Sequence, residues 1–240
     1  MINIYPYSLK EIANIIKEEK LIFNDLLINS ITIDSRRILN PNSSIFVAIK
    51  TSRNDGHRYI DEMYNKNCKA FLINKENNID FSRYPDANFI IVKNTIDALQ
   101  KWSGYHRKKF NCPIIAITGS NGKTIVKEWI YHCLSNYFSI IRSPASYNSQ
   151  IGVSLSLLLM NENYNLGIIE AGISYPGEME KLEKIISPDI GIITNIGLAH
   201  QENFFNLEEK VNEKLKLFKN CNSIIYCKDH KIIDENILKV

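Results

Sequence analysis

Apolar positions in the first part of the chain fall in short runs separated by polar stretches, and beyond Pro113 unbroken apolar runs alternate with helical patterns. Near the start, Leu9, Ile12, Ile15 and Ile16 recur at helical spacing behind Ser8. Glu11 stands three residues after that serine, the pattern of a capping box. β-rich runs follow at residues 30–33, 44–49, 70–73 and 88–92, with helical patterns over 57–66 and 95–108. These predict a small α/β domain over residues 1–110, bounded by Asn111-Cys112-Pro113.

Residues 111–240 predict a second domain. Strands are expected at 114–118, 138–142, 166–170, 190–195 and 223–227. Helices are expected between them at 123–134, 150–160, 177–186 and 207–218. Uniformly apolar strands alternating with helices are the signature of a mostly parallel sheet covered on both faces. The overall fold class is therefore α/β in two domains.

Composition narrows the function classes. Twenty-nine basic against 26 acidic residues leave a formal charge of +3, which gives no reason to expect a nucleic-acid partner. The longest apolar run, 151–160, is broken by Gly152, Ser154 and Ser156 and is too short to span a bilayer, so no membrane insertion is expected. No basic segment followed by an apolar stretch opens the chain. The cysteines, Cys68, Cys112, Cys133, Cys221 and Cys227, are odd in number and form no C-x-x-C pair. Reduced thiols in the cytoplasm are the expectation.

The strongest local signal runs from Ile114 through Thr118-Gly119-Ser120-Asn121-Gly122-Lys123-Thr124. An apolar strand enters a glycine-containing turn, and Lys-Thr opens a helix. Such a turn directs backbone N–H groups and a helix N-terminus at a phosphate chain. Lys123 is then placed to reach the β- and γ-phosphates, and the Thr124 hydroxyl to bind Mg²⁺. The generic phosphate-loop pattern calls for glycine where this chain has Ile117. Glu170 ends an apolar strand, at the sheet edge where open parallel sheets bind ligands; a surface residue or a partner for a nearby lysine are its alternative readings.

The departure at Ile117 is itself informative, because T-G-[ST]-x-G-K-[TS] resembles the phosphate loop of the Mur ligase family, ATP-dependent enzymes of peptidoglycan precursor synthesis. Further matches run in order along the chain: Thr32-Ile33-Asp34-Ser35-Arg36, Phe46-Val47-Ala48, Asp55-Gly56-His57, Tyr147-Asn148-Ser149-Gln150-Ile151-Gly152-Val153, Glu170-Ala171-Gly172 with Pro176-Gly177-Glu178, Thr194-Asn195 with His200, and Lys214-Leu215-Lys216-Leu217-Phe218.

The resemblance implies a uridine-nucleotide-binding first domain using Ser35, Arg36, Asp55, Gly56 and His57, with Asn148 also at the substrate. It implies an ATP-binding second domain using Thr118 to Thr124. Lys123, Glu170, His200 and Lys214 would be catalytic, and Thr124, Glu170, His200 and Lys214 (as its carbamate) would hold Mg²⁺. The segment 170–179 is most like family members that add D-alanyl-D-alanine to UDP-N-acetylmuramoyl tripeptide, in a cytoplasmic monomer. The preceding tripeptide-forming ligase and a non-catalytic nucleotide-binding fragment are the alternatives. The family has a third, C-terminal domain that residues 1–240 do not include, so the second domain is expected to be incomplete. Tyr147–Val153 also resembles forms of the ligase fused to an alanine racemase.

The residues alone leave several points open. Ser35 and Arg36 also read as a solvated loop, and Asp55-Gly56-His57 as a turn capping the following helix. Lys210, Lys214, Lys216 and Lys219 also read as one solvated helix face, and Lys210 competes with Lys214 for the carbamate role.

Overall fold

A computed structural model describes residues 2–52, 54–197 and 201–237. The chain divides into two compact units, Met1–Trp102 and Ser103–Val240.

In the first unit the strands are β1 (Ile2–Ser8), β2 (Glu19–Leu21), β3 (Leu27–Thr32), β4 (Ser44–Val47), β5 (Ala70–Asn74) and β6 (Asn88–Val92). Its helices are α1 (Leu9–Ile16) and α2 (Ile60–Asn65), and α3 (Thr95–Arg107) begins here. The sheet order is β1-β3-β4-β5-β6-β2. Its inner strands β3 to β6 pair in parallel, and β1 and β2 are antiparallel edges. The capping box forms as the sequence predicts: Ser8 Oγ accepts from Glu11 N–H at 3.1 Å, and the Glu11 carboxylate from Ser8 N–H at 2.8 Å.

The edge strands were not predicted. β2 is only Glu-Lys-Leu with its polar residues exposed, so it carries no apolar run. β1 includes Pro6, and a bulge between Asn3 and Tyr7 breaks its alternation. Both are features of edges, where a missing ladder donor is tolerated.

The second unit holds β7 (Ile114–Thr118), α4 (Lys123–Leu134), β8 (Ile140–Arg142), α5 (Gln150–Leu157), β9 (Leu166–Glu170), α6 (Glu178–Ile186), β10 (Ile190–Ile193), α7 (Leu207–Leu215), β11 (Ser223–Tyr226) and α8 (Lys231–Ile237). Its sheet runs β11-β10-β7-β9-β8, and all five strands are parallel.

Period-two alternation explains why these strands read as continuous apolar runs. Ile114 and Ala116 of β7 join the core that also holds Val153, Leu182 and Val211. Ile115 and Ile117 face the opposite side with Val126, Ile130 and Leu134 of α4. The central strands β7 and β9 are buried on both faces, so neither face needs polar residues, whereas the edge strand β11 leaves Ser223 and Ile225 exposed.

The connections place the functional edge. From β7 the chain crosses to β8 and returns to β9, then crosses to β10 and continues outward to β11. The winding direction reverses between β7 and β10, and the space beyond the C-terminal ends of strands at such a reversal is the usual ligand position in these sheets. Among the described residues, no helix is long and apolar enough to cross a membrane. All five cysteines are free.

Candidate active site

Thr118, the last residue of β7, leads into Gly119 at φ 140° and Gly122 at φ 81°, and α4 begins at Lys123. Gly119 is required by a close approach. A Cβ there would lie 2.0 Å from Thr194 Oγ1 and 3.0 Å from the Asn195 carbonyl oxygen, so the loop packs directly on the segment leaving β10.

Hydrogen bonds fasten that packing. Ser120 N–H donates to Asn195 O at 2.8 Å, Asn121 N–H to Asn195 Oδ1 at 2.9 Å, and Thr194 Oγ1 to Asn121 O at 2.6 Å. Of the backbone N–H groups expected to face a phosphate chain, those of Ser120 and Asn121 are engaged by Asn195 in this structure. The N–H groups of Gly122, Lys123 and Thr124, at the start of α4, find no acceptor among the described residues, and Gly122 provides no side-chain cap. They make the helix N-terminus available to an anion. Lys123 Nζ donates to the carbonyls of Gly119 at 2.9 Å and Ser120 at 3.3 Å. Burial lowers its pKa, with Glu170 opposing the shift. The Thr118 hydroxyl is buried beneath the loop and makes no hydrogen bond.

Glu170 ends β9 with no exposed surface. Thr124 Oγ1 donates to its Oε1 at 3.0 Å, and Asn148 Nδ2 approaches the same oxygen at 3.4 Å. Asn148, expected at the substrate, is thus placed at the carboxylate. Oε2 accepts no hydrogen bond; its neighbour is the ammonium of Lys127, 3.1 Å away. The lysine-partner reading of Glu170 is therefore realised, by a residue the sequence reading passed over. Lys127 sits one turn beyond Thr124 in an ordinary helical pattern, with nothing in its spacing to mark it.

The lysines on α7 separate into two groups. Lys210 and Lys214, four residues apart and so on one helix face, are both buried. Lys214 Nζ donates to Gly119 O at 3.4 Å, and Lys210 Nζ to Gly197 O. Lys216 turns toward Glu213 and is half exposed. The solvated-face reading therefore fails for the two buried lysines, because α7 aims them at the phosphate loop and its neighbour. Burial, with Lys123 and Lys210 nearby, pushes the Lys214 pKa down to about 7. Burial also lowers that of Lys210. Buried Glu213, between them in sequence, accepts from Gly177 N–H at 2.8 Å and Met179 N–H at 3.1 Å, capping α6 and tying it to α7. His200 lies outside the described residues.

In the first unit Ser35 follows β3 and Asp55 follows β4, at the same C-terminal edge of the parallel strands. Buried Ser35 donates to Glu62 Oε2 at 3.0 Å. Arg36 is exposed and pairs with Asp34, its Nε donating at 2.8 Å. The helix-capping reading of Asp55 holds, because its Oδ1 accepts from His57 N–H at 3.0 Å. Gly56 is pressed against the backbone of Ile49, which a Cβ would meet at 2.8 Å. Both ring nitrogens of His57 are engaged within the fold: Nδ1 with Asp55 Oδ1 at 2.6 Å, and Nε2 accepting from Asn74 N–H at 2.9 Å. With both nitrogens engaged inside the fold, neither is left open to a ligand.

Among the described residues, no group of three or more His, Cys, Asp or Glu could hold a metal. The donors that do converge are the Thr124 hydroxyl and the Glu170 carboxylate, whose Oε2 takes no hydrogen bond. Hard oxygen donors of this kind fit Mg²⁺ rather than a softer metal.

Comparison with known proteins bears on the same unit. The Mur ligase middle domain family matches residues 117–239. The chain is 38% identical over 211 residues to the UDP-N-acetylmuramoyl-tripeptide–D-alanyl-D-alanine ligase of Buchnera aphidicola from Acyrthosiphon pisum, covering 88% of this chain and 44% of that protein. The chain spans about half the length of the curated relatives it matches. The crystal structure of MurF from Acinetobacter baumannii superposes with a TM-score of 0.85 at 23% identity, over 99% of this chain and 53% of that one, a likeness of fold. MurF ligase from Thermotoga maritima in complex with ADP gives a TM-score of 0.75 at 27% identity, over 88% of this chain and 48% of that one.

Proposed function

The chain belongs to the Mur ligase family, and from that premise we propose that it is the substrate- and nucleotide-binding portion of an ATP-dependent ligase adding D-alanyl-D-alanine to UDP-N-acetylmuramoyl tripeptide. In this reading residues 1–110 bind the uridine nucleotide and residues 111–240 bind ATP, in a cytoplasmic monomer. The observation that carries it is the meeting of Lys123, Glu170 and Lys214 around one phosphate-type loop at the edge of a parallel sheet. The relatives' names and the ADP complex of the Thermotoga protein support the choice of reaction and nucleotide.

The chemistry joins an unreactive carboxylate to an amine. A carboxylate oxygen of the tripeptide attacks the γ-phosphorus of ATP, and the bond to the β-γ bridging oxygen breaks, releasing ADP. The D-alanyl-D-alanine amine then attacks the acyl carbon, and inorganic phosphate leaves as the amine loses a proton. Both first-step reactants are anionic, so catalysis rests on positioning and on positive charge placed where negative charge gathers.

Lys123 provides that charge at the β- and γ-phosphates, leaving its loop carbonyls to do so. The N–H groups of Gly122, Lys123 and Thr124 receive phosphate oxygens at the start of α4, while Asn195 holds the loop in shape. Thr124, Glu170 and the carbamate of Lys214 would hold Mg²⁺, with His200 as a further ligand. Bound there, the metal supplies compensating positive charge to the transferring phosphoryl group.

Carbamate formation requires a neutral amine to attack CO₂. The lowered pKa of Lys214 supplies one near neutral pH, which supports Lys214 over Lys210 as the modified residue. Lys123 and Lys210 remain beside it as countercharges.

The test follows ADP release by the complete ligase given ATP, Mg²⁺, UDP-N-acetylmuramoyl tripeptide and D-alanyl-D-alanine. Lys123→Ala should abolish release, and turnover retained in that variant would remove the phosphate-loop assignment.

A further inference from the structure

Among the described residues, Lys127 is the one fully buried ammonium group that the proposed reaction does not use. Its side chain has no exposed surface, and it stands at four oxygens: Glu170 Oε2 at 3.1 Å, Glu128 Oε1 at 3.2 Å, Ser143 O at 2.8 Å, and Ala145 O. Burying an ammonium is costly unless it is paired and hydrogen-bonded, so these partners account for its presence. They also immobilise it. Two of its three donors are spent on backbone carbonyls of the segment between β8 and α5, so it cannot swing aside with a change at Glu170.

That segment holds Glu170 from a second direction, because Ser143 Oγ accepts from Glu170 N–H at 3.1 Å. Ala145 adopts φ 44°, a conformation costly for a residue with a Cβ, to carry the chain through this contact. The two oxygens of Glu170 are thereby made unequal. Oε2 is enclosed against a fixed cation, while Oε1 lies with Thr124 Oγ1 and Asn148 Nδ2, on the side of the phosphate loop.

We propose that Lys127 is a positioning residue that makes Glu170 a one-oxygen ligand and so biases the site toward Mg²⁺ over Ca²⁺. The inference rests on the metal-ligand reading of Glu170 given above. Mg²⁺ demands near-octahedral geometry with single carboxylate oxygens, whereas Ca²⁺ readily takes both oxygens of one carboxylate. A cation bridging Oε1 and Oε2 would have to share Oε2 with an ammonium that its carbonyl partners hold in place. Lys127 therefore leaves a monodentate ion its ligand and denies a bidentate ion half of one.

The experiment uses Mn²⁺ as a spin probe bound to this chain with ADP, displaced in turn by Mg²⁺ and by Ca²⁺. The parent should release Mn²⁺ at lower Mg²⁺ than Ca²⁺. In Lys127→Met, which keeps the apolar stem and loses the charge, the preference should fall about tenfold or more, the scale on which groups that hold a metal's ligands affect its affinity. Lys127→Arg should retain most of it. An unchanged preference in folded Lys127→Met overturns the proposal. Because that variant leaves Glu170 uncompensated and could unfold, a crystal structure of the parent with Mn²⁺ and ADP gives an independent decision. One Glu170 oxygen on the metal and the other at Lys127 supports the assignment; both oxygens on the metal overturn it. Failure of the parent to bind Mn²⁺ with ADP at all would instead remove the metal reading of Glu170.

Discussion

Substituting Gly119 by alanine tests the phosphate loop at its tightest point. The added methyl carbon would sit 2.0 Å from Thr194 Oγ1 and about as close to the Asn195 backbone as hydrogen-bonded atoms come, at 3.0 and 3.1 Å. Thr194 must rotate or the loop must lift. Either movement endangers Thr194 Oγ1→Asn121 O, Ser120 N→Asn195 O and Asn121 N→Asn195 Oδ1. Two or three such bonds at about 1 kcal/mol each, with about 1–3 kcal/mol for holding a Cβ-bearing residue at φ 140°, come to roughly 3–6 kcal/mol.

Gly122→Ala is the matched control. It too places a Cβ at positive φ, at the left-handed 81° rather than 140°, but that Cβ meets nothing closer than 3.9 Å, so about 1–2 kcal/mol is expected. Urea unfolding measures the stability change, and calorimetry with ADP and Mg²⁺ measures the site. Gly119→Ala should be markedly the less stable variant and bind ADP more than about tenfold more weakly than the parent, since about 1.4 kcal/mol of loop distortion suffices for that factor. A Gly119→Ala protein as stable as Gly122→Ala, with parental ADP affinity, would refute the claim that the loop rests on the segment leaving β10.

Other consequences can be checked separately. Burial lowers the pKa of His106 from 6.5 to about 4, so the folded protein keeps it neutral while the unfolded chain takes up a proton. Stability should therefore fall by about 3 kcal/mol as pH drops from above 6.5 to below 4, a limb that urea melts of His106→Gln should show flattened. Ser8→Ala removes the side-chain half of the α1 capping box and should cost about 1 kcal/mol in the same assay. Under ¹³C-bicarbonate, the parent should show a carbamate carbonyl resonance that Lys214→Met lacks and Lys210→Met keeps. A resonance lost only in Lys210→Met would transfer the role to Lys210.

Most of the second unit was legible because its central strands are buried on both faces and its helices begin at strong signals. Ile114–Thr118 reads as a strand without any periodicity argument, and Gly122-Lys123 marks the start of α4 by turn chemistry. Boundaries slipped where local geometry tightens. The predicted helix over 207–218 is α7 followed by a 3-10 turn at Lys216–Phe218, and the predicted strand over 190–195 stops at Ile193 because Thr194 and Asn195 turn to hold the phosphate loop.

Tertiary partners were not legible. Nothing in Lys127-Glu128 distinguishes a buried ammonium from a solvated helical lysine; the distinction arises when β9 and the segment after β8 close around it. Asn195 could be singled out only by resemblance, and its hydrogen bonds to a loop some seventy residues earlier in the chain follow from the parallel pairing of β7 with β10. His57 shows the converse: the residues read as a capping turn and only resemblance implied a ligand role, and in the fold Asp55 and the Asn74 N–H engage both of its nitrogens.

The central claim, a tripeptide-specific ligase of the Mur family, is tested most directly by calorimetric titration of this chain with UDP-N-acetylmuramoyl tripeptide, in the presence of ADP and Mg²⁺. UDP-N-acetylmuramoyl dipeptide and folate serve as controls. Saturable binding of the tripeptide, with much weaker binding of the dipeptide and none of folate, is the predicted result. Heat changes no greater than dilution for every uridine nucleotide would contradict the assignment of substrate and reaction.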